Sequence, residues 1–148
     1  MTPPLNTDFP DADDSTGFVL WRVTNAWQAA QRAALKPFGL THVQFVLLAT
    51  LTWTEGEGPI TQRNLASAAG TDTMMTSQVV RTLEAAGHVM RRPHPTDRRA
   101  VALSPTPQGL ALVNRAIVAV EACDAAFFEP LGGSRDHFTR MLVTLQRA

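Results

Sequence analysis

The stretch TQRNLASAAGTDTMMTSQVVRTLEAAGHVMRRPHPTDRR, residues 61–99, decides the fold. Thr61 and Asp72 each stand before a run with helical periodicity, and their side chains can cap the first free N–H groups of a helix. Gly70 lies between the two runs, and Gly87 stands at the left-handed position that often follows a helix. The predicted helices cover residues 62–69 and 72–86. Two helices joined by a short turn that contains glycine are typical of a helix-turn-helix.

A hairpin and a long helix are predicted downstream. The strand-like pieces 88–92 and 100–103 flank the sequence PHPTDR, which is rich in turn-forming residues. We therefore expect a two-stranded hairpin with a long tip, the wing. Thr106 followed by Pro107 is a typical helix start, and the apolar spacing continues that helix to about Phe128.

Two helices are predicted upstream, and one more at the C-terminal end. The first covers about residues 16–36. The second opens on Thr41 and Gln44, whose spacing predicts a capping box, and it is apolar nearly all round, which indicates burial. Ser134 is expected to cap the last helix.

These elements predict a mainly α fold with a small β-hairpin. The winged helix-turn-helix takes about residues 41–103, and the helices over about 16–36 and 107–147 have apolar stripes that need a partner, so we expect them to form a dimer interface. Residues 1–14, rich in proline and aspartate, are expected to be a disordered acidic tail. Residues 15–148 are expected to form one domain.

The second helix of the helix-turn-helix has two faces. Its predicted core stripe is Met75, Val79, Leu83 and Ala86. Its candidate DNA-binding residues are Thr73, Thr76, Ser77, Gln78 and Arg81. In a major groove, hydroxyls reach phosphates or bases, glutamine pairs with adenine and arginine pairs with guanine. The alternative is an ordinary solvated helix face, which the neighbouring capped helix and hairpin make the weaker interpretation.

The wing carries charged residues at its tip. Arg98 and Arg99 can enter a minor groove or hold phosphates, and Asp97 can orient one of them by a charge-assisted bond. A solvated, salt-bridged turn is the alternative.

These pieces together resemble the MarR family. The resemblance rests on GLTHVQFVLLATL (39–51), on ITQRNLASAAGTDTMMTSQVVRTLEAAGHVMR (60–91) and on DRRAVALSPTPQG (97–109), and it extends from about Phe18 to the C-terminus. Thr76 is a departure, because the family usually has an apolar residue there.

The resemblance implies a homodimer with a recognition helix in the major groove, wing arginines near the minor groove, and control by a small molecule or an oxidant. Asp97 and Arg99 match the family's wing pair. The function expected from this is a transcriptional regulator, a repressor that binds double-stranded DNA at a palindromic operator.

The resemblance also implies a ligand cleft between the dimer helices and the DNA-binding lobe. Its candidate residues are Trp21, Asn25, His42 and Phe45, and aromatic walls with a few polar groups suit a small aromatic acid as effector. The alternative is that the tryptophan is a core or dimer contact and that His42 is merely exposed. The single cysteine, Cys123, is expected to be a buried structural thiol. Family members that are switched by a thiol usually carry it near the first helix, where this chain has no cysteine, and this argues against peroxide sensing.

Composition bounds the other classes of function. The net charge is zero, but six arginines against three acidic residues leave a local charge of +3 over residues 63–99. The four histidines lack metal-ligand spacing and no glycine-rich phosphate loop occurs, so we expect no enzyme, no metal site and no cofactor. A winged helix that binds proteins instead of DNA remains the alternative. With no signal peptide and no apolar run long enough to span a membrane, the chain is expected to be cytoplasmic.

Overall fold

The computed structural model describes residues 4–148. Over that range the chain forms six α-helices and one antiparallel hairpin, which confirms the predicted fold class. In chain order the elements are α1 (Thr16–Leu35), α2 (His42–Thr54), α3 (Gln62–Ala69), α4 (Thr73–Ala85), β1 (Val89–Pro93), β2 (Val101–Pro105), α5 (Pro107–Phe128) and α6 (Arg135–Gln146). Arg91 lies opposite Leu103 in the hairpin, and Ile60 adds an isolated bridge to Leu103.

Side-chain caps start most of these helices where the sequence predicts them. The predicted capping box of α2 is present: Thr41 Oγ1 accepts the N–H of Gln44, and Gln44 Oε1 accepts the N–H of Thr41. Thr61 forms a second capping box with Asn64 at the start of α3. Asp72 and Thr106 cap α4 and α5 by accepting a single backbone N–H each, from Met75 and Gly109. Ser134 precedes α6 as predicted but makes no capping bond, because it ends a 3-10 turn in a helical conformation.

Helix α2 lies at the centre of the core, as its apolar composition predicts. Leu47, Leu48 and Leu51 are fully buried, and each stabilises the fold by about 1.5–3 kcal/mol relative to an exposed side chain. Helices α1 and α5 cover them, together with α3, α4 and β2. The covering side chains include Leu35, Leu65, Val80, Leu83, Leu103, Leu112, Val113 and Val120.

The first and last helices leave apolar side chains in solvent. These are Phe18, Leu20, Trp21 and Val23 on α1, and Met141, Leu142 and Leu145 on α6. Within residues 4–148 no single helix is long and apolar enough to cross a membrane; α1 and α2 with their 3-10 extensions pass that test only as a pair, bent by 77°.

Part of the acidic N-terminal segment has a defined conformation, contrary to the disorder predicted for residues 1–14. Residues Ala12–Asp14 form a 3-10 turn, in which the Asp14 carboxylate accepts the N–H of Asp11. An ion pair between Asp13 and Arg22 ties this turn to α1. Residues 1–3 lie outside the described range.

Candidate nucleic-acid interface

Helix α4 is rotated by one position from the predicted orientation. Its core-facing residues are Thr76, Val80 and Leu83, which lie four and three positions apart on one face of the helix. Met75, predicted to face the core, is 37% exposed, and Ala86 is also exposed. Of the predicted core stripe only Leu83 is buried, while Val79 is half-buried.

Thr76 is therefore not a DNA contact, and its prediction as one is wrong. Its side chain is 0% exposed, although it is polar. The hydroxyl donates to the carbonyl of Asp72 at 2.7 Å and shares a 2.7 Å hydrogen bond with the hydroxyl of Thr71. Because these local bonds replace its bonds to water, the threonine occupies a core position at little cost.

The other predicted residues of α4 lie on the outer face. Thr73, Gln78 and Arg81 are exposed and Ser77 is half-buried, with its hydroxyl accepting an N–H of Arg81 at 3.1 Å. Met74, which sequence reasoning missed, is 73% exposed on the same helix. It lies four residues before Gln78 and therefore on the same face of the helix, which is the signal that could have revealed it. An apolar side chain on this face can contact the methyl group of thymine in a major groove.

The acidic residue of this surface is paired. Glu84 Oε2 lies 3.0 Å from Nε of Arg91, so an ion pair joins α4 to the first strand of the wing. Both side chains are partly exposed, and the pair contributes little to stability. It does place a counter-charge beside the one carboxylate of α4, which reduces its repulsion of phosphate.

The wing tip presents Arg98 and Arg99, both exposed. The predicted contact between Asp97 and the guanidinium of Arg99 is absent from residues 4–148 of the structure. Asp97 Oδ1 accepts the backbone N–H of Arg99 at 2.9 Å instead, and neither of the two ion pairs found within residues 4–148 involves Asp97. Asp97 thus shapes the turn that presents the arginines.

His94 also shapes the tip, and sequence reasoning missed it. Its Nδ1 accepts the backbone N–H groups of Thr96 and Asp97, at 3.2 and 3.0 Å. The two flanking prolines, Pro93 and Pro95, were the visible signal of a rigid turn, but the role of the imidazole depends on the folded tip.

Thr106 joins the base of the wing to two helices. Its hydroxyl donates to the carbonyl of Gly87, just after α4, and accepts the N–H of Gly109 in the first turn of α5. Its backbone N–H donates to the carbonyl of His88 at 3.0 Å. The end of α4, the start of β1 and the start of α5 are therefore held together at one residue.

The comparisons with known proteins agree with this geometry. The family model for the MarR family matches residues 40–101. A Bacillus subtilis protein, the uncharacterized HTH-type transcriptional regulator YdcH, is 44% identical over 83% of this chain and 84% of its own length. The chain belongs to the MarR family. It is a transcriptional regulator with a winged-helix fold.

Two solved structures are similar to this MarR-family chain over most of its length. The transcriptional repressor CouR bound to a 23-mer DNA duplex has a TM-score of 0.84 and 25% identity, covering 96% of this chain and 99% of the CouR chain. The Mycobacterium tuberculosis protein Rv2887 in complex with p-aminosalicylic acid has a TM-score of 0.70 and 32% identity, covering 89% and 98%.

The four predicted ligand residues of this MarR-family regulator have different environments. Trp21 is 66% exposed, and Asn25 is exposed and donates to the carbonyl of Trp21. Phe45 is 5% exposed and belongs to the hydrophobic core, so its prediction as a cleft residue is wrong. The apolar environment of α2 buries it, and its chemistry alone could not distinguish a cleft wall from a core residue.

His42 belongs to a polar network that the sequence did not reveal. Its ring packs edge-on against Trp27 with centroids 5.0 Å apart. Trp27 Nε1 and Gln31 Nε2 both donate to Oδ1 of Asp124, at 2.8 and 2.7 Å. The network thus links α1, the first residue of α2 and α5, which is the junction between the terminal helices and the DNA-binding lobe.

Burial and nearby charges shift the pKa of His42 at this junction. Burial lowers the pKa of His42, the nearby Arg32 lowers it further, and the carboxylate of Asp124 opposes both. Gln31 is fully buried, and its Oε1 has no hydrogen-bond partner. A donor supplied at this junction would find an acceptor there.

Cys123, the residue before Asp124, is half-buried instead of fully buried. Burial, followed by the charge of Asp124, raises the pKa of its thiol. Since the thiolate is the reactive form, this environment makes Cys123 a poor oxidant sensor.

Proposed function

We propose that this MarR-family regulator is a homodimeric repressor that binds a palindromic operator and is released by a small aromatic effector. The observation that carries the proposal is the exposed polar face of α4 beside a wing tip with two exposed arginines, Arg98 and Arg99. The winged-helix relative CouR is a repressor bound to a DNA duplex, and this supports assigning α4 to the major groove and the tip to the minor groove.

The exposed apolar side chains of α1 and α6 support a second copy of the chain as the partner. They lie on the two terminal helices, outside the core formed around α2. A twofold dimer presents two recognition helices to two half-sites, and this is why the proposed operator is palindromic. We place its action in the cytoplasm, the compartment that holds duplex DNA in bacteria.

The effector is proposed on the junction network. Trp27 and His42 supply an aromatic contact, and Gln31 and Asp124 supply polar groups where the terminal helices meet α2. The repressor Rv2887, 35% identical over 90% of this chain, forms a complex with p-aminosalicylic acid, which supports an aromatic acid as the first ligand to test.

Fluorescence anisotropy on a duplex selected from genomic fragments tests the proposal. The parent should bind that duplex more tightly than a scrambled one, and Arg81→Ala and Gln78→Ala should reduce the preference by about 1–3 kcal/mol at major-groove positions. Arg115→Ala, an exposed arginine on α5, is the matched control and should bind like the parent. Salicylate or p-aminosalicylate should weaken operator binding.

Equal binding of both duplexes by the parent would refute sequence-specific recognition, and full affinity in both α4 variants would favour a protein partner instead.

A further inference from the structure

We propose that His94 is a positioning residue for DNA recognition, whose neutral imidazole holds the wing tip and whose protonation releases it. The inference rests on the proposed function, because the tip is assigned to the DNA. It predicts that operator binding weakens as the solution becomes acidic, through one identified side chain.

The geometry requires the neutral ring. Nδ1 of His94 receives two backbone N–H groups, from Thr96 and Asp97, and a backbone N–H can only donate. The accepting nitrogen must therefore carry a lone pair, so the proton of the neutral ring is on Nε2. An imidazolium would point an N–H at these two backbone N–H groups, and both bonds would be lost. The Thr96 hydroxyl, 3.4 Å from Nδ1, would be the acceptor left to it.

The two bonds act on the arginines through Asp97. His94 holds the N–H of Asp97, and Asp97 Oδ1 holds the N–H of Arg99. The backbone completes the tip: His94 donates to the carbonyl of Ala100 at 3.3 Å, and Ala100 donates to the carbonyl of Asp97 at 3.2 Å. The imidazole is therefore the first link in a chain of contacts that ends at Arg99.

Charged side chains from the strand and the tip surround the ring. His94 shares a concavity of about 500 Å³ with Arg91 and Arg92 from β1 and with Asp97 and Arg98 from the tip. Three of these four charged side chains are arginines, and β2 contributes only the uncharged Ala100 and Val101. Glu55 lies in a neighbouring groove with Arg92 and Pro95. One of the three arginines, Arg91, is paired with Glu84 of α4.

Two substitutions separate the role of His94 as a hydrogen-bond acceptor from its protonation. His94→Asn places its amide Oδ1 the same number of bonds from the backbone as Nδ1, so it can accept the same N–H groups without titrating. His94→Ala removes the acceptor. At pH 7.5 we expect the alanine variant to bind operator roughly five- to tenfold more weakly, because two backbone N–H groups lose the acceptor that they share. The asparagine variant should bind within about twofold of the parent.

The pH series supplies the decisive readout. Between pH 7.5 and 5.5 the parent should lose affinity relative to His94→Asn, and the ratio of the two cancels the effects of the three other histidines. An asparagine variant with the same pH profile as the parent would overturn the proposal, and so would an alanine variant of full affinity at pH 7.5.

Amide NMR on the free protein makes the test independent of DNA. The Thr96 and Asp97 amide resonances should move together with the ring resonances of His94 as it titrates, and should stay in place in His94→Asn. Stationary amides in the parent would overturn the role of His94. A parent that binds no operator would instead overturn the proposed function, so the two failures are distinguishable.

Discussion

Asp97 Oδ1 lies 2.9 Å from the backbone nitrogen of Arg99 and accepts its N–H. The carboxylate acts on the backbone of the wing tip, and it does not hold the guanidinium. Within residues 4–148 neither arginine of the tip forms an ion pair, so both guanidinium groups can contact phosphates or a groove. The contribution of Asp97 should depend on an acceptor at this position more than on a charge.

Substitutions at Asp97 and Arg99 test this distinction. Asp97→Asn keeps an acceptor and should change operator affinity little, whereas Asp97→Ala should weaken it by about 0.5–1.5 kcal/mol, the contribution of one hydrogen bond. Arg99→Ala should weaken it by about 1–3 kcal/mol, the scale of a good base contact. Anisotropy titrations measure all three. An asparagine variant as weak as the alanine variant would show that the charge matters instead.

Thr76 should affect stability and not recognition. Thr76→Val keeps the shape of the buried side chain but removes its bonds to Thr71 and Asp72, and it should lower the free energy of unfolding by about 1 kcal/mol. The Asp72 carbonyl still accepts the N–H of residue 76, which limits the loss. Ser77→Ala, on the neighbouring half-buried position, should leave the urea midpoint unchanged but weaken operator binding in the DNA titration. Weaker operator binding by a stable Thr76→Val protein would contradict the buried orientation.

His42 should make the fold less stable in acid. Burial, with Arg32, lowers its pKa below the ordinary value of 6.5, so the unfolded chain binds the proton more readily than the folded one. The stabilisation is present above the unfolded pKa and is lost as the pH falls below about 6.5 and through the lowered value. Urea midpoints between pH 7.5 and 5 should decline, and His42→Gln should reduce the slope. His137 is an exposed histidine on α6, and His137→Gln serves as the control. An equal change of slope in both variants would show that the pH dependence does not come from His42.

Two glycine substitutions should have opposite effects. A Cβ on Gly109 would lie 2.0 Å from the carbonyl oxygen of His88, which already accepts a hydrogen bond from the backbone N–H of Thr106. Gly109→Ala should therefore destabilise by at least about 1–3 kcal/mol, because the wing base or α5 must shift. Gly17 on α1 has open space around it, so Gly17→Ala should stabilise by about 0.4–1 kcal/mol. Thermal unfolding measures the stability of both variants. A Gly109→Ala protein as stable as the parent would show that the backbone at His88 can shift at little cost.

The exposed face of α6 should mediate self-association. Leu142→Glu places a charge on a side chain that is 40% exposed in the single chain, and we expect it to shift the protein from twice 16.1 kDa towards the monomer mass in sedimentation. Met74→Glu makes the same change at a more exposed position on α4 and should leave the dimer intact. A dimeric Leu142→Glu protein would place the interface elsewhere.

Local signals in the sequence predicted the helix starts, and non-local contacts escaped prediction. Thr41, Thr61 and Thr106 act within three residues of themselves, so their spacing was sufficient. Trp27 and Gln31 reach Asp124 across 97 and 93 positions, which no local pattern reveals.

The rotation of α4 was mispredicted for a different reason. The polarity of threonine predicts an outer-face position, but a hydroxyl that bonds to its own helix can be buried. Polarity therefore indicates exposure only when the local backbone cannot satisfy the group.

The contacts at Thr106 limit where an operator can place its half-sites. Because this residue holds the end of α4 and the start of α5 together, the recognition helix cannot turn about its own end without breaking them. In the twofold dimer proposed above, the distance between the two α4 helices would then be set by the way in which the two copies pair. One added base pair moves a half-site by about 3.4 Å along the duplex and rotates it by roughly a tenth of a turn. A duplex with one extra central base pair should consequently engage one half of the dimer at a time.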